Sequence, residues 1–165
     1  MPEDRDENYD VHTPSDIQES LYQHCIRAIN TSLNFGENNL PLIGSGDWND
    51  GFSTVGNKGK GESVWLGFFI YDVLNEFINV MKQKEEKENL INEYTEILNK
   101  LKNSLNKNAW DGRWYRRAYT DKGEVLGSSQ NAECRIDSIA QSWSVISNAG
   151  DNDKKYIAME SLEQN

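Results

Sequence analysis

Little in this 165-residue sequence could hold a metal or build a disulfide framework. There are two cysteines, Cys25 and Cys134, far apart, and two histidines, His12 and His24, with no C-x-x-C or H-E-x-x-H spacing around them. No metal centre follows from these residues, and a reduced, cytoplasmic setting is the simplest expectation; no apolar signal-type segment opens the chain. Basic charge is also short, with 17 Lys and Arg against 27 Asp and Glu and a formal net charge of −10. Such a balance argues against a phosphate-backbone partner and against an anionic membrane surface, since both need clustered cations. Long apolar runs are missing too: Val64 to Leu74, the longest, is too short and interrupted to cross a bilayer. What the chain does have is rings. Hydrophobic residues make up only 36%, yet they include five Trp, seven Tyr and five Phe, enough large apolar area for one core.

Residues 1–10, charged and without periodicity, read as a disordered lead-in. Helical pattern begins at Ser15, which with Gln18 makes a capping box, and continues on the face of Ile17, Leu21, Cys25, Ala28, Ile29 and Leu33 to a stop at Gly36. "SVWLGFFIYDVLNEFINVMKQ" is apolar on nearly every side and predicts a helix interior to others. "NLINEYTEILNKLKNSL" has one stripe, Leu90 to Leu105, and predicts a helix that faces water. "AWDGRWYRRAYTDKGEVLGSS" breaks this rhythm and predicts a short extended or hairpin excursion turning at Asp121-Lys122-Gly123. Helical pattern returns from Asp137 to Gly150, and Asp151 caps a last amphipathic piece with Tyr156, Ile157, Met159 and Leu162. The alternation of all-round apolar and one-sided helices is similar to the inner and outer rings of an α/α toroid.

Between the first two helical segments, Leu40 to Trp65 carries six glycines around the sequence D-W-N-D, residues 47–50. An EF-hand loop is excluded because Gly51 comes one place early and Lys58 stands where the bidentate Glu belongs. A P-loop is excluded because Gly59-Lys60 is followed by Gly61. A carbohydrate site fits: an acid able to protonate a glycosidic oxygen beside an aromatic face that stacks on a pyranose. Trp48 and Asp50, two apart, can face one cleft while Asp47 and Asn49 bond neighbouring loops. By residue type alone the plainer alternative comes first: Asp47 and Asp50 in Asx turns, with Trp48 in the core. Trp65, Trp143 and Phe68-Phe69-Ile70 read as core, and Arg116 and Arg117 as surface partners of Asp or Glu.

The blocks "LYQHCIRAINTSLNFGENNLPLIGSGDWNDGF", "GKGESVWLGFF", "WDGRWYRRAYTDKGEVLGS" and "ECRIDSIAQSWSVIS", in this order and spacing, resemble the glycoside phosphorylase family. That family contains cellobiose and chitobiose phosphorylases and the phosphorylase-like region of cyclic β-1,2-glucan synthases. The resemblance covers about Tyr9 to Gly150 and reverses the order of the two readings above. It implies an all-α fold, a partial (α/α) toroid of paired inner and outer helices with the hairpin excursion. Residues 11–165 would be a slice of an (α/α)6-type catalytic domain. It implies an inverting phosphorolysis, or the reverse synthesis, of a β-glucosidic bond, with inorganic phosphate as co-substrate and no cofactor. One carboxyl suffices there because phosphate replaces the activated water. By motif, the general acid falls on Asp50 and the sugar-contacting Trp on Trp48. Glu133 falls at an acceptor-side carboxylate, and Gln141 in the segment lining the same cleft.

The family's arginine-aspartate sugar block is expected before residue 1, and its glycine-rich phosphate block after residue 165. The isolated chain is therefore expected to be inactive, and to self-associate or be marginal through the exposed flanks of its interior helix. The alternatives are a β-1,2-glucan synthase module that sets chain length, and a noncatalytic helical fragment that binds sugar or a partner.

Overall fold

The computed structural model describes residue 11 and residues 13–165, so the lead-in over residues 1–10 lies outside the described residues, as does His12. The chain divides into two compact units, Met1–Leu33 and Asn34–Asn165.

The first unit holds helix α1, Leu21–Ser32. It starts later than the capping box predicts. The Ser15 hydroxyl accepts from the Ile17 amide, a turn two residues long, and Ser20 caps the helix by accepting from Gln23. Backbone bonding ends it before Gly36, with the Leu33 amide on the Asn30 carbonyl. No residue of α1 is buried, and Leu21 is 79% exposed.

In the second unit, the loop from Asn34 leads through a 3-10 turn, Asp50–Phe52, to strand β1, Glu62–Ser63, and directly into α2, Val64–Gln83. Then follow α3, Glu88–Asn108, the hairpin strands β2, Ala118–Tyr119, and β3, Val125–Leu126, and finally α4, Ser138–Ile146, and α5, Asn152–Gln164. The unit is mostly helical, with one small antiparallel sheet in the order β1-β2-β3; Glu62 pairs with Tyr119 and Ser63 with Ala118. The excursion is thus a hairpin turning where Asp121-Lys122-Gly123 predicts, with Gly123 at φ +79°.

α2 packs against α3 and α4, burying Trp65, Phe68, Leu74 and Met81. At Gly67 a side chain would meet Leu105 of α3 at 3.0 Å, so the missing Cβ lets the two helices approach. Among the described residues, α2 is the one helix whose length and mean hydropathy (1.3) would suit a membrane span, longer than the apolar run counted above, but 44% of its most apolar stretch is buried inside the protein. It is the core helix of this unit. Phe69, expected in the core, is instead 38% exposed.

α5 also departs from its expected face. Tyr156, Ile157 and Met159 stay exposed, and the residues it buries are Ala158 and Ser161. Small residues win because they allow close approach: Ser161 Oγ donates to the Arg113 carbonyl at 3.1 Å.

Candidate active site

The loop after Leu40 is ordered by two isolated bridges, Phe35 to Pro41 and Leu42 to Glu62, and by the 3-10 turn, and side chains anchor the rest of its backbone. Glu62, 1% exposed, accepts from the Asn38 amide at 3.0 Å and the Leu40 amide at 3.1 Å, fixing the entry to the loop. Asp121, from the hairpin turn, accepts from the amides of Lys58, Lys60 and Gly61 at 2.9 to 3.0 Å, fixing its exit. Desolvation opposes the charge of Asp121, but these three donors win and lower its pKa.

The D-W-N-D stretch lies between these anchors, and its two aspartates are told apart by their partners. Asp47 is fully enclosed: Arg117 Nη1 and Nη2 each approach one carboxylate oxygen at 2.7 Å, a bidentate fork. The Ser63 hydroxyl donates to the same carboxylate at 2.6 Å, and the Asn49 amide does so at 3.0 Å, an Asx turn. Burial pushes the Asp47 pKa up, but hydrogen bonds from Arg117, Ser63 and Asn49 and the Arg117 charge outweigh it and hold it below the ordinary value. Asp50 opens the 3-10 turn and is exposed, and its carboxylate makes no hydrogen bond or ion pair among the described residues.

Trp48, between them, is 68% exposed rather than core. Its ring tilts on Trp65 at 5.9 Å; Trp65 stacks on Phe69 at 5.5 Å and meets Trp143 edge-on at 6.0 Å. Trp48 is therefore the outer ring of an aromatic bed that runs from the loop across α2 to α4, leaving a flat apolar face open to solvent.

Arg117 joins this loop to the rest of the unit. Its backbone is held on both sides, donating to Leu126 O at 2.8 Å and accepting from Val64 N at 3.2 Å. Its guanidinium lies 4.6 Å from the Phe52 ring, and Nε faces Asp137 Oδ2 at 3.4 Å, a charge contact without hydrogen-bond alignment. Asp137 caps α4 by accepting from Ile139. Glu133 is exposed in the irregular segment just before that cap, so Arg117 ties the segment of Glu133 to the loop of Asp50. Arg117 pairs with aspartate as expected, though not at the surface: it is 1% exposed. Arg116 pairs with Asp111 at 3.2 Å.

Gln141 is a correction. It is 0% exposed, its Oε1 accepts from the Tyr115 amide at 2.8 Å, and its Nε2 donates to the Tyr115 carbonyl at 2.7 Å. A side-chain amide matches a backbone amide in both donor and acceptor, and here it is consumed in that match. Gln141 clamps Tyr115, whose hydroxyl donates to Asn106 of α3, and offers no atom to a ligand.

Two hollows, of about 200 and 300 Å³, share Lys60, Thr120, Asp121 and Lys122; neither is lined by Trp48, Asp50, Glu133 or Gln141. Trp48, Asp50 and Glu133 are exposed at the surface, whereas Gln141 is buried. No group of His, Cys, Asp and Glu able to hold a metal ion occurs among the described residues.

What sequence reasoning missed is the Asp47–Arg117 fork. The odd-even alternation over residues 114–120 cannot reveal it, because this strand is buried on both faces: Trp114, Tyr115, Arg117, Ala118 and Tyr119 are all enclosed.

Residues 4–165 match the family model described as glycosyl hydrolase 94 superfamily, catalytic domain. Among curated relatives, the chain is 44% identical over 143 residues to a cyclic beta-(1,2)-glucan synthase of Rhizobium meliloti, covering 86% of this chain and 5% of that protein. It is 34% identical over 145 residues to a solabiose phosphorylase of Paenibacillus borealis, covering 87% of this chain and 19% of the relative. With an N,N'-diacetylchitobiose phosphorylase of Vibrio proteolyticus it shares 28% identity over 148 residues, covering 88% and 18%. The chain thus spans a fifth or less of the length of these relatives.

Proposed function

Because the chain belongs to the glycosyl hydrolase 94 superfamily catalytic-domain family, we propose that it forms the acid-bearing part of an inverting phosphorylase-type site, within a ring of paired helices completed by other chain. The observation that carries this reading is the division of labour between the two aspartates: Asp47 is spent on Arg117, Ser63 and Asn49, whereas Asp50 is unengaged and exposed two residues from an open indole face.

Trp48 stacks on the apolar face of the sugar at the scissile bond, and Asp50 points its carboxyl at the glycosidic oxygen. An oxygen of hydrogen phosphate attacks the anomeric carbon from the opposite face, the glycosidic C–O bond breaks, and the Asp50 proton passes to the leaving oxygen. The proton carried in by phosphate restores the balance, giving an inverted sugar 1-phosphate and a free saccharide. Glu133 serves the acceptor side, as a hydrogen-bond acceptor for sugar hydroxyls.

The similarity to a cyclic β-1,2-glucan synthase favours β-1,2-linked glucose as the donor, and a second setting in which the same chemistry trims or sets glucan length. The test is phosphate-dependent release of glucose 1-phosphate from β-1,2-glucooligosaccharides by the full-length polypeptide carrying this chain, compared with its Asp50→Asn variant. Loss of about a hundredfold or more in the variant is expected for removal of a general acid. Undiminished release takes Asp50 out of that role.

A further inference from the structure

We infer that Arg117 is a positioning residue for the acid, holding the Asp50 turn from both sides; this rests on the reading of Asp50 given above. The geometry is that of a bracket. Asp47, three residues before Asp50, is seized by both terminal nitrogens of Arg117 at 2.7 Å, and Phe52, two residues after it, lies under the same guanidinium at 4.6 Å. Between these grips the Asp50 carboxylate has no hydrogen bond or ion pair among the described residues, so the short 3-10 turn presents it without using it.

Arg117 is a rigid point to hold from. Its amide and carbonyl are tied into β3 and the start of α2, and its third nitrogen faces the α4 cap Asp137. Ser63 completes the junction: its hydroxyl hydrogen goes to Asp47, and its oxygen caps α2 by accepting from Leu66 at 3.0 Å. The loop, β3, the start of α2 and the cap of α4 therefore meet at one arginine, through its backbone and its guanidinium together, beside the proposed acid.

Energetics point the same way. A buried ion pair gains little over well-packed apolar side chains of similar volume, because desolvation offsets its attraction. A pair so enclosed, Arg117 side chain 2% and Asp47 side chain 0% exposed, is better explained by the geometry it imposes than by stability. Arginine suits this and lysine does not, since only the planar fork grips both carboxylate oxygens while stacking on a ring.

The test uses the full-length polypeptide and two donors. β-1,2-Glucooligosaccharides need a proton on the leaving oxygen; β-glucosyl fluoride, with phosphate as the nucleophile, does not, because fluoride departs as the anion. Arg117→Lys is paired with the double variant Asp47→Leu/Arg117→Met, which removes both enclosed charges and leaves without its arginine only Asp137, whose side chain is 29% exposed to water. For the oligosaccharide, kcat should fall about a hundredfold in the double variant and less in Arg117→Lys, with KM little changed, as expected for a misplaced acid. Turnover of the fluoride should stay within about twofold of wild type, because its leaving group needs no general acid.

Equal losses on both donors in a folded protein would make Arg117 merely structural, and unchanged turnover of the oligosaccharide would remove it from the mechanism. Asp50→Asn, run alongside, separates the two claims. If it keeps full oligosaccharide turnover, the acid reading itself fails; if it loses that turnover alone while the Arg117 variants lose nothing, only the bracket fails.

Discussion

At the scale of single residues, the ionised form of Asp47 is the one the fold needs. Its burial alone would raise the pKa, and the hydrogen bonds from Arg117, Ser63 and Asn49 reverse this, leaving it lowered. Asp111 is lowered in the same way: burial opposes its charge, and the Ser129 amide, the Ser129 and Ser128 side chains and Arg116 outweigh it. A depressed folded value means that the native state binds fewer protons than the unfolded chain. This contribution is complete above the ordinary carboxylate value, near about 3.9, and is lost as pH falls through the folded values. Urea midpoints should therefore hold steady from neutrality to about pH 5 and drop in more acid solution, with a shallower drop in Asp47→Asn. Arg117→Met alone should cost about 3–5 kcal/mol by stranding the Asp47 charge, and adding Asp47→Leu should restore most of it; thermal unfolding of the three proteins measures this. Neither partner's importance was legible in the sequence. The bidentate pair joins positions 47 and 117, and a twofold alternation has no power where both faces of a strand are enclosed.

At the scale of elements, the helices were the legible part and their faces less so. α2 and α3 begin and end close to where apolar periodicity places them, whereas α4 begins as predicted and stops at Ile146 rather than running on to Gly150; Ser63 and Asp137 cap α2 and α4. α5 was found but turned: large apolar side chains mark a buried stripe only if the neighbour leaves room, and here Ala158 and Ser161 take the close contact. The glycine-rich loop was visible as a loop, whereas its anchors, Glu62 and Asp121, were not, since backbone-capturing carboxylates look like any surface acid. Asp121→Ala should release three amides at once, and hydrogen exchange at Lys58, Lys60 and Gly61 should quicken while α3 is unaffected. Gly61→Ala should be worse, because a Cβ there would meet the Val55 carbonyl and the Gly56 Cα at 2.6 Å, backbone that cannot swing away. A loss of about 1–3 kcal/mol, read as a lower melting temperature, is expected from such overpacking.

At the scale of the whole molecule, the apolar side chains left uncovered among the described residues of the second unit include Trp48 and Phe69 on the aromatic bed, Val145 and Ile146 on α4, and Tyr156, Ile157 and Met159 on α5. Surfaces of this kind on a chain a fifth or less the length of its relatives are expected to draw copies together in isolation. Sedimentation should show association rising with concentration, and Ile157→Glu with Met159→Glu should reduce it if α5 is the face involved. The fork between Asp47 and Arg117 also sets an order of events during synthesis. Its partners are 70 positions apart, so the loop of Asp50 leaves the ribosome long before Arg117 exists, and nearer contacts, from Glu62 to the loop's entry and from Ser63 to Asp47, are all that can order it in the meantime. The loop must wait, open and glycine-rich, while α2 and α3 form from their own short-range contacts. The geometry proposed for Asp50 is then among the last features to appear, and a chain interrupted before residue 117 would carry the proposed acid without the arginine proposed to aim it.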